Sequence, residues 1–117
     1  MAYSNLFARL VANTAEPENE QACWVWNSKV KCRYGYGRFA VRVSHLQHPV
    51  LLSAHVAAWV LTEIGTDASN DDLFWACQEL VYSKLELDHT CVNTSCINPD
   101  HLDLCTHLEN IQRKFRR

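Results

Sequence analysis

The sequence is poor in glycine and proline, with three of each among 117 residues. Hydrophobic residues make up 48% and charged residues 21%, so a collagen-like, low-complexity or wholly disordered chain is excluded. Long apolar runs are also lacking. The longest, residues 54–61, is interrupted by His55 and is far shorter than the roughly 20 residues of a membrane-spanning helix. We therefore expect no membrane partner.

The N-terminal segment lacks a basic stretch followed by an apolar one, the pattern of a secretory signal. We expect an intracellular protein that is not secreted, and its length predicts one domain with a modest core. The chain nevertheless contains six cysteines. In a protein that is not secreted, cysteines favour metal ligands or free thiols over a disulfide framework.

Charge is distributed unevenly, although the net value is only −2. Residues 29–42 contain five cations and no acid, and the last five residues contain four cations. Residues 63–88 contain seven acids and one lysine. Two basic segments of this kind indicate contact with an anionic partner such as DNA, and ordinary solvated surface is the alternative.

Periodicity predicts an α+β fold with a small antiparallel sheet. Helical spacing and caps predict helices over 4–12, 53–64 and 71–82, and a helix that opens at the capping box of Thr106 and Glu109. Alternation predicts strands within 23–43 and over 49–52, 85–88 and 101–105. Residues 85–117 therefore form strand, loop, strand and helix. We expect Leu108, Ile111 and Phe115 to face inward on the last helix.

A cluster of soft ligands lies in the last third of the chain. Cys91, Cys96 and His101 fall within eleven residues, and a structural zinc ion needs four such ligands. From spacing alone the fourth ligand stays open among Cys23, Cys32, Cys77, Cys105 and His107. Of the remaining candidates, we interpret Cys105 as core, Cys32 and Cys77 as free thiols, His107 as part of a helix cap, and His55 as a satisfied core residue.

The pattern around these ligands resembles the HNH, or His-Me finger, endonucleases, above all the His-Cys box homing endonucleases and the small HNH proteins of phages. It consists of Asp88-His89-Thr90-Cys91, Cys96, Asn98-Pro99, His101-Leu102 and Glu109-Asn110. Upstream, the segments 23–26, 34–39 and 54–59 resemble the strands and helix that precede the finger in those proteins. The resemblance covers about residues 20–117. Together with the single domain expected from the length, it implies one nuclease domain over 1–117, with an N-terminal helix and loop (1–22), upstream strands and helices (23–84) and a zinc-stapled ββα-metal finger (85–117).

The resemblance also implies roles for single residues. His89 resembles the general base, and Asp88 and Asn110 resemble the ligands of a catalytic Mg²⁺, for which Mn²⁺ can substitute. Arg38 or Arg42 resembles the arginine that contacts the phosphate. Cys91, Cys96 and His101 resemble zinc ligands, and Cys23 stands where the remote fourth ligand is expected.

The last helix predicts a DNA surface. Arg113, Lys114 and Arg117 follow Asn110 at helical spacing, so we expect the metal ligand and these cations to share one face, with Arg116 nearby. We therefore expect a Mg²⁺-dependent DNA endonuclease, homing-type or phage HNH, with a homodimer as one option. The alternative is a catalytically silent zinc-stabilised DNA-binding module on the same scaffold.

Overall fold

The computed structural model describes residues 5–27 and 36–116. Their helices and strands are, in chain order, α1 (Leu6–Ala12), β1 (Arg38–Val41), β2 (Val50–Ser53), α2 (Ala54–Ile64), α3 (Asn70–Ser83), β3 (Leu85–His89), β4 (Leu102–Thr106) and α4 (His107–Arg116). A single 3₁₀ turn, Pro99–His101, precedes β4. The expected α+β class is confirmed.

The described strands form two small antiparallel sheets. β1 pairs with β2, with Arg38 opposite Ser53, and β3 pairs with β4, with His89 opposite Leu102. Around Trp24 and Trp26, where a strand was expected, the described residues form single bridges, one of them between Val25 and Cys96. Part of the expected 23–43 strand region, including residues 34 and 35 of the Tyr-Gly turn, lies outside the described residues.

Helix starts follow the local sequence closely. The Asn5 side chain caps α1 by accepting from the Ala8 amide, and Ser69 caps α3 by accepting from the Asp72 amide. At α4 the capping box forms as expected: the amides of Thr106 and Glu109 each donate to the other side chain, at 3.2 and 3.1 Å.

The core lies between α2 and the elements packed around it. Its fully buried side chains include Leu10, Trp26, Val41, Leu61 and Leu73. Gly37 is required where β1 begins, because a Cβ atom there would lie 2.5–2.8 Å from the Trp26 ring. The same tryptophan lies beside the segment that pairs with Cys96, so core packing helps to position the metal-ligand loop.

The expected orientation of α4 is wrong. Leu108 and Phe115 are 64% and 87% exposed, and Asn110 is the buried residue of the helix. The cause lies on β3, because Glu86 and Asp88 bond to polar side chains of α4. Polar groups on the helix therefore turn inward to pair with these acids, Leu108 and Phe115 are left at the surface, and Ile111 is half-buried.

None of the described helices has the length and apolar character needed to cross a membrane.

Candidate metal centre and adjoining cleft

Four side chains from three separate parts of the chain converge on one point. Cys23 comes from the N-terminal region, Cys91 and Cys96 from the loop after β3, and His101 from the 3₁₀ turn. Their ligand atoms all lie within 4.8 Å of one another. Among the described candidates for the fourth ligand, the one that the fold brings to the cluster is Cys23.

The distances in this cluster fit a tetrahedral zinc site. The Nδ1 atom of His101 lies 3.5 Å from the sulfur of Cys23 and 3.4 Å from the sulfur of Cys96. Bond lengths of about 2.3 Å to sulfur and 2.05 Å to nitrogen, at tetrahedral angles, separate the two atoms by about 3.6 Å. The cluster therefore has room for zinc at normal bond lengths.

The His101 ring is oriented for ligation through Nδ1. Its Nε2 atom donates a hydrogen bond to the Gln21 carbonyl at 2.7 Å, since a carbonyl only accepts. A proton on Nε2 leaves the lone pair of the neutral ring on Nδ1, the atom that faces the two sulfurs. Such an outer hydrogen bond is typical of histidines that bind zinc.

Backbone hydrogen bonds tie the cluster to the upstream segment. The Trp26 amide donates to the Ser95 carbonyl at 2.8 Å, and the Ile97 amide donates to the Trp24 carbonyl at 2.9 Å. The Asn98 side chain adds a bond from Nδ2 to the Ala22 carbonyl. These bonds bring Cys23 and Cys96 together although they are far apart in sequence.

Zinc has to compete with protons for these sulfurs. Burial raises the pKa of the Cys96 thiol to about 12 and also raises the pKa of Cys23. A metal ion binds the thiolate, so binding here releases protons and weakens at low pH.

The other described cysteine and histidine candidates lie outside the cluster. Cys77 is buried on α3 and Cys105 on β4, both as free thiols outside the cluster. His107 is exposed at the start of α4, where its Nδ1 atom lies 2.8 Å from Oε2 of Glu86. Cys32 lies outside the described residues.

His89, at the end of β3, is buried and linked directly to the metal-ligand loop. Its Nε2 atom donates to the carbonyl of Cys96 at 3.0 Å. In the neutral ring this bond places the proton on Nε2 and makes Nδ1 the basic nitrogen. Together with Asp88, Asn110 and Lys114, the side chain lines a surface cavity that we call the cleft.

Two aromatic rings pack against His89, and sequence reasoning missed both. The ring centroids of His55 and Tyr36 lie 4.6 and 5.7 Å from that of His89. His55 is buried as expected, but it is not a satisfied core residue, because its Nδ1 has no hydrogen-bond partner among the described residues. Burial, with a further contribution from His89, lowers the pKa of His55 to about 3.

Asn110 is the buried polar residue of α4, and it lines the cleft. Its Nδ2 atom donates to Oε1 of Glu86 at 2.8 Å. Its Oδ1 atom is buried and has no hydrogen-bond partner among the described residues. The bond from Asn110 is the main cause that lowers the pKa of the Glu86 carboxyl, with His107 adding to it. Sequence reasoning missed Glu86, because an acid on an alternating strand has the pattern of ordinary surface.

Asp88 is buried beside the cleft and pairs with Arg113. The guanidinium lies 3.3 Å from Oδ2 of Asp88 and 2.7 Å from Oδ2 of Asp103. Arg113 was expected on an open DNA surface, whereas the fold directs it toward two carboxylates.

The remaining cations differ in whether they line the cleft. Lys114 lines the cleft, and Arg38 lines the recess beside it together with His55, Glu86 and Asn110. Arg42 is exposed and lines neither space. Arg116 is exposed on α4, and Arg117 lies outside the described residues.

The cleft offers the oxygen ligands that Mg²⁺ prefers. A carboxylate, Asp88, and a buried amide oxygen with no partner among the described residues, Oδ1 of Asn110, line the same space. Mg²⁺ keeps most of its waters and needs only one or two protein oxygens. The residues therefore fit a hydrated Mg²⁺ ion.

A protein-family model described as the zinc-binding loop region of homing endonuclease matches residues 22–115. Comparisons with curated proteins and with solved structures find no match. The matched range includes the four clustered ligands as well as His89 and Asn110. The chain therefore belongs to the family of the homing-endonuclease zinc-binding loop region and is related to the HNH, or His-Me finger, endonucleases.

Proposed function

We propose that the protein is a Mg²⁺-dependent endonuclease that hydrolyses phosphodiester bonds in DNA, as a homing-type or phage HNH enzyme. The observation that carries this proposal is the meeting of two buried groups at one cleft. These are His89, with its basic Nδ1 atom, and Asn110, with a buried Oδ1 atom that lacks a partner among the described residues. A purely structural zinc protein needs neither group.

His89 acts as the general base in this mechanism. The bond from its Nε2 atom to the Cys96 carbonyl holds the ring and assigns the proton. Nδ1 then accepts a proton from the water that attacks the phosphorus atom. A neutral imidazole with one unprotonated ring nitrogen suits this task.

Asn110 and Asp88 hold the metal ion in this proposal, through Oδ1 of the amide and a carboxylate oxygen. When bound, Mg²⁺ stabilises charge on the phosphate and on the leaving 3′ oxygen as a Lewis acid. Arg113 already pairs with Asp88, so the carboxylate has to share its oxygens or exchange this partner. We therefore assign the larger share of metal binding to Asn110.

Cations around the cleft bind the substrate backbone. Arg38 and Lys114 are close enough to Asn110 to line the same recess, and we assign them to the phosphate at the cleavage site. Arg42 and Arg116 are exposed and extend this positive surface to neighbouring phosphates, and we assign the same role to Arg117 from its place in the sequence. Arg113 is ion-paired with Asp88 and Asp103, so we expect its contact with DNA to be weaker than that of Lys114.

The zinc ion, held by Cys23, Cys91, Cys96 and His101, is structural in this proposal. A zinc ion held by these residues would fix the loop that carries Cys96, and the Cys96 carbonyl orients His89. The metal centre thus positions the base without taking part in the reaction. We expect residues 1–117 to act as one nuclease domain inside the cell, and a homodimer would allow both DNA strands to be cut.

One observation favours a second candidate, the catalytically silent zinc-stabilised DNA-binding module. The ion pair between Asp88 and Arg113 occupies a carboxylate that the nuclease needs for metal. In a silent module, this pair would serve only to fasten α4 to β3.

Incubation of the purified, zinc-loaded protein with supercoiled plasmid separates the two candidates. We expect nicked or linear DNA with Mg²⁺ or Mn²⁺, and intact plasmid when neither ion is added to the zinc-loaded protein. Asn110→Ala should reduce cleavage and recover partly at raised Mg²⁺, because a metal site is weakened while the base remains. DNA binding without cleavage at any metal concentration would establish the silent module.

A further inference from the structure

We propose that Glu86 is a positioning residue, which fixes the orientation of the Asn110 side-chain amide and so presents its Oδ1 atom to the metal ion. The inference rests on the proposed function, because it takes Asn110 as a metal ligand. It adds a residue that the sequence pattern did not mark.

The chemistry of the contact decides which atom of the amide faces Glu86. A carboxylate only accepts hydrogen bonds, so the atom at 2.8 Å from Oε1 has to be the Nδ2 donor of Asn110. Without such a partner, the two ends of an amide are nearly interchangeable. The bond to Glu86 therefore turns Oδ1 to the opposite side, where it is buried without a hydrogen-bond partner among the described residues.

Glu86 is itself held in place. Its second oxygen, Oε2, lies 2.8 Å from Nδ1 of His107, which donates for the same reason. His107 and Asn110 are three residues apart and therefore one turn apart on α4. The two oxygens of one carboxylate thus fasten the first turn of the helix to β3, and the amide cannot turn over without breaking a bond.

This arrangement also argues against Glu86 as a metal ligand. Each of its oxygens already accepts from a side chain of α4. Direct ligation would have to use the one lone pair that each oxygen retains, whereas Oδ1 of Asn110 has no hydrogen-bond partner among the described residues.

Three substitutions separate positioning from ligation and from a general structural role. Glu86→Ala removes the acceptor, and we expect metal affinity to fall by about 10-fold or more, as is usual for partners that orient metal ligands. Glu86→Gln keeps an acceptor oxygen and should stay within about threefold of wild type. Glu79→Ala removes an exposed carboxylate of α3 and serves as the matched control.

A double substitution gives the sharper test. If Glu86 acts only through Asn110, Glu86→Ala combined with Asn110→Ala should bind metal no more weakly than Asn110→Ala alone. If Glu86 were a ligand, the two losses would multiply. The single variant Asn110→Asp places two carboxylates against each other and should lose metal affinity. Adding Glu86→Gln restores a hydrogen bond with the donor and acceptor exchanged, so the double variant should recover part of that affinity.

The experiment is a Mn²⁺ titration of the zinc-loaded full chain, followed by electron paramagnetic resonance, with zinc content and thermal unfolding measured in parallel. We expect weaker Mn²⁺ binding in Glu86→Ala and near wild-type binding in Glu86→Gln and Glu79→Ala. The double alanine variant should bind no more weakly than Asn110→Ala, and zinc content should be unchanged in Glu86→Ala. Wild-type affinity in Glu86→Ala, multiplied losses in the double variant, or loss of zinc on the same scale would each overturn the proposal, as would a wild-type chain that binds no Mn²⁺. A wild-type chain that gives the expected binding pattern but cleaves no DNA would refute the nuclease alone.

Discussion

Replacing one cysteine of the metal centre should unfold the protein, whereas the same replacement at another buried cysteine should not. Cys96 and Cys105 are both nearly inaccessible, at 0% and 3% exposure, and both are free thiols. They differ in that Cys96 belongs to the four-ligand cluster and Cys105 does not. Cys96→Ser and Cys105→Ser therefore make a matched pair.

The magnitudes separate the two variants clearly. A structural zinc ion contributes roughly 10 kcal/mol or more in small domains, while the whole free energy of unfolding is about 5–15 kcal/mol. A hydroxyl buried in place of the Cys105 thiol costs only about 1–3 kcal/mol. Cys96→Ser should thus lose zinc and most of its folded population, while Cys105→Ser should keep both.

Elemental analysis and thermal denaturation with and without a chelator measure the two effects. We expect about one zinc per chain in the wild type and in Cys105→Ser, and chelation should lower the unfolding temperature of both. Full zinc content in a folded Cys96→Ser protein, or no zinc in folded wild type, would refute the assignment. If Cys23→Ser retained full zinc, the fourth ligand would be wrong.

Three further results are expected. Lys114→Ala with Arg116→Ala should weaken DNA binding and reduce the log–log salt slope by about two, while Arg113→Ala, already ion-paired, should change that slope less; an equal change would contradict the ion-pair geometry. Gly37→Ala should cost about 3 kcal/mol or more in urea unfolding, because the added carbon collides with the Trp26 ring, and unchanged stability would refute this contact. Burial lowers the pKa of His55 to about 3 in the folded protein, against about 6.5 in the unfolded chain, so the folded ring stays neutral. The free energy of unfolding therefore falls as the pH falls below 6.5. His55→Gln should therefore gain about 2 kcal/mol relative to wild type between pH 7.5 and pH 5, as measured by urea unfolding, and equal pH slopes would refute the buried neutral ring.

The sequence predicted the parts of the fold that depend on local signals. The capping box of Thr106 and Glu109, the return strand after Pro49 and the start of α3 near Asp71 follow from short-range chemistry, and each lies at or near the expected place. Three of the clustered ligands, Cys91, Cys96 and His101, were predicted because cysteine and histidine at this spacing have few other uses, while Cys23 was expected from the family resemblance alone.

The parts that could not be predicted depend on which surfaces meet. The apolar stripe of α4 was expected to face inward, as apolar helix faces usually do. This expectation failed because Glu86 and Asp88 on β3 bind polar side chains of the helix. The same pairing takes Arg113 away from the expected DNA surface. His55 reaches His89 through the packing of distant elements, and no spacing in the sequence records that contact.

Cleavage of supercoiled plasmid by His89→Ala tests the central claim most directly. His48→Ala, which removes an exposed histidine, is the control. We expect His89→Ala to keep its zinc, its fold and its DNA affinity while cleavage falls about 100-fold or more, the usual scale for loss of a general base. The wild type and His48→Ala should cleave equally with Mg²⁺. Cleavage by His89→Ala at the wild-type rate, with the same dependence on Mg²⁺, would contradict the account.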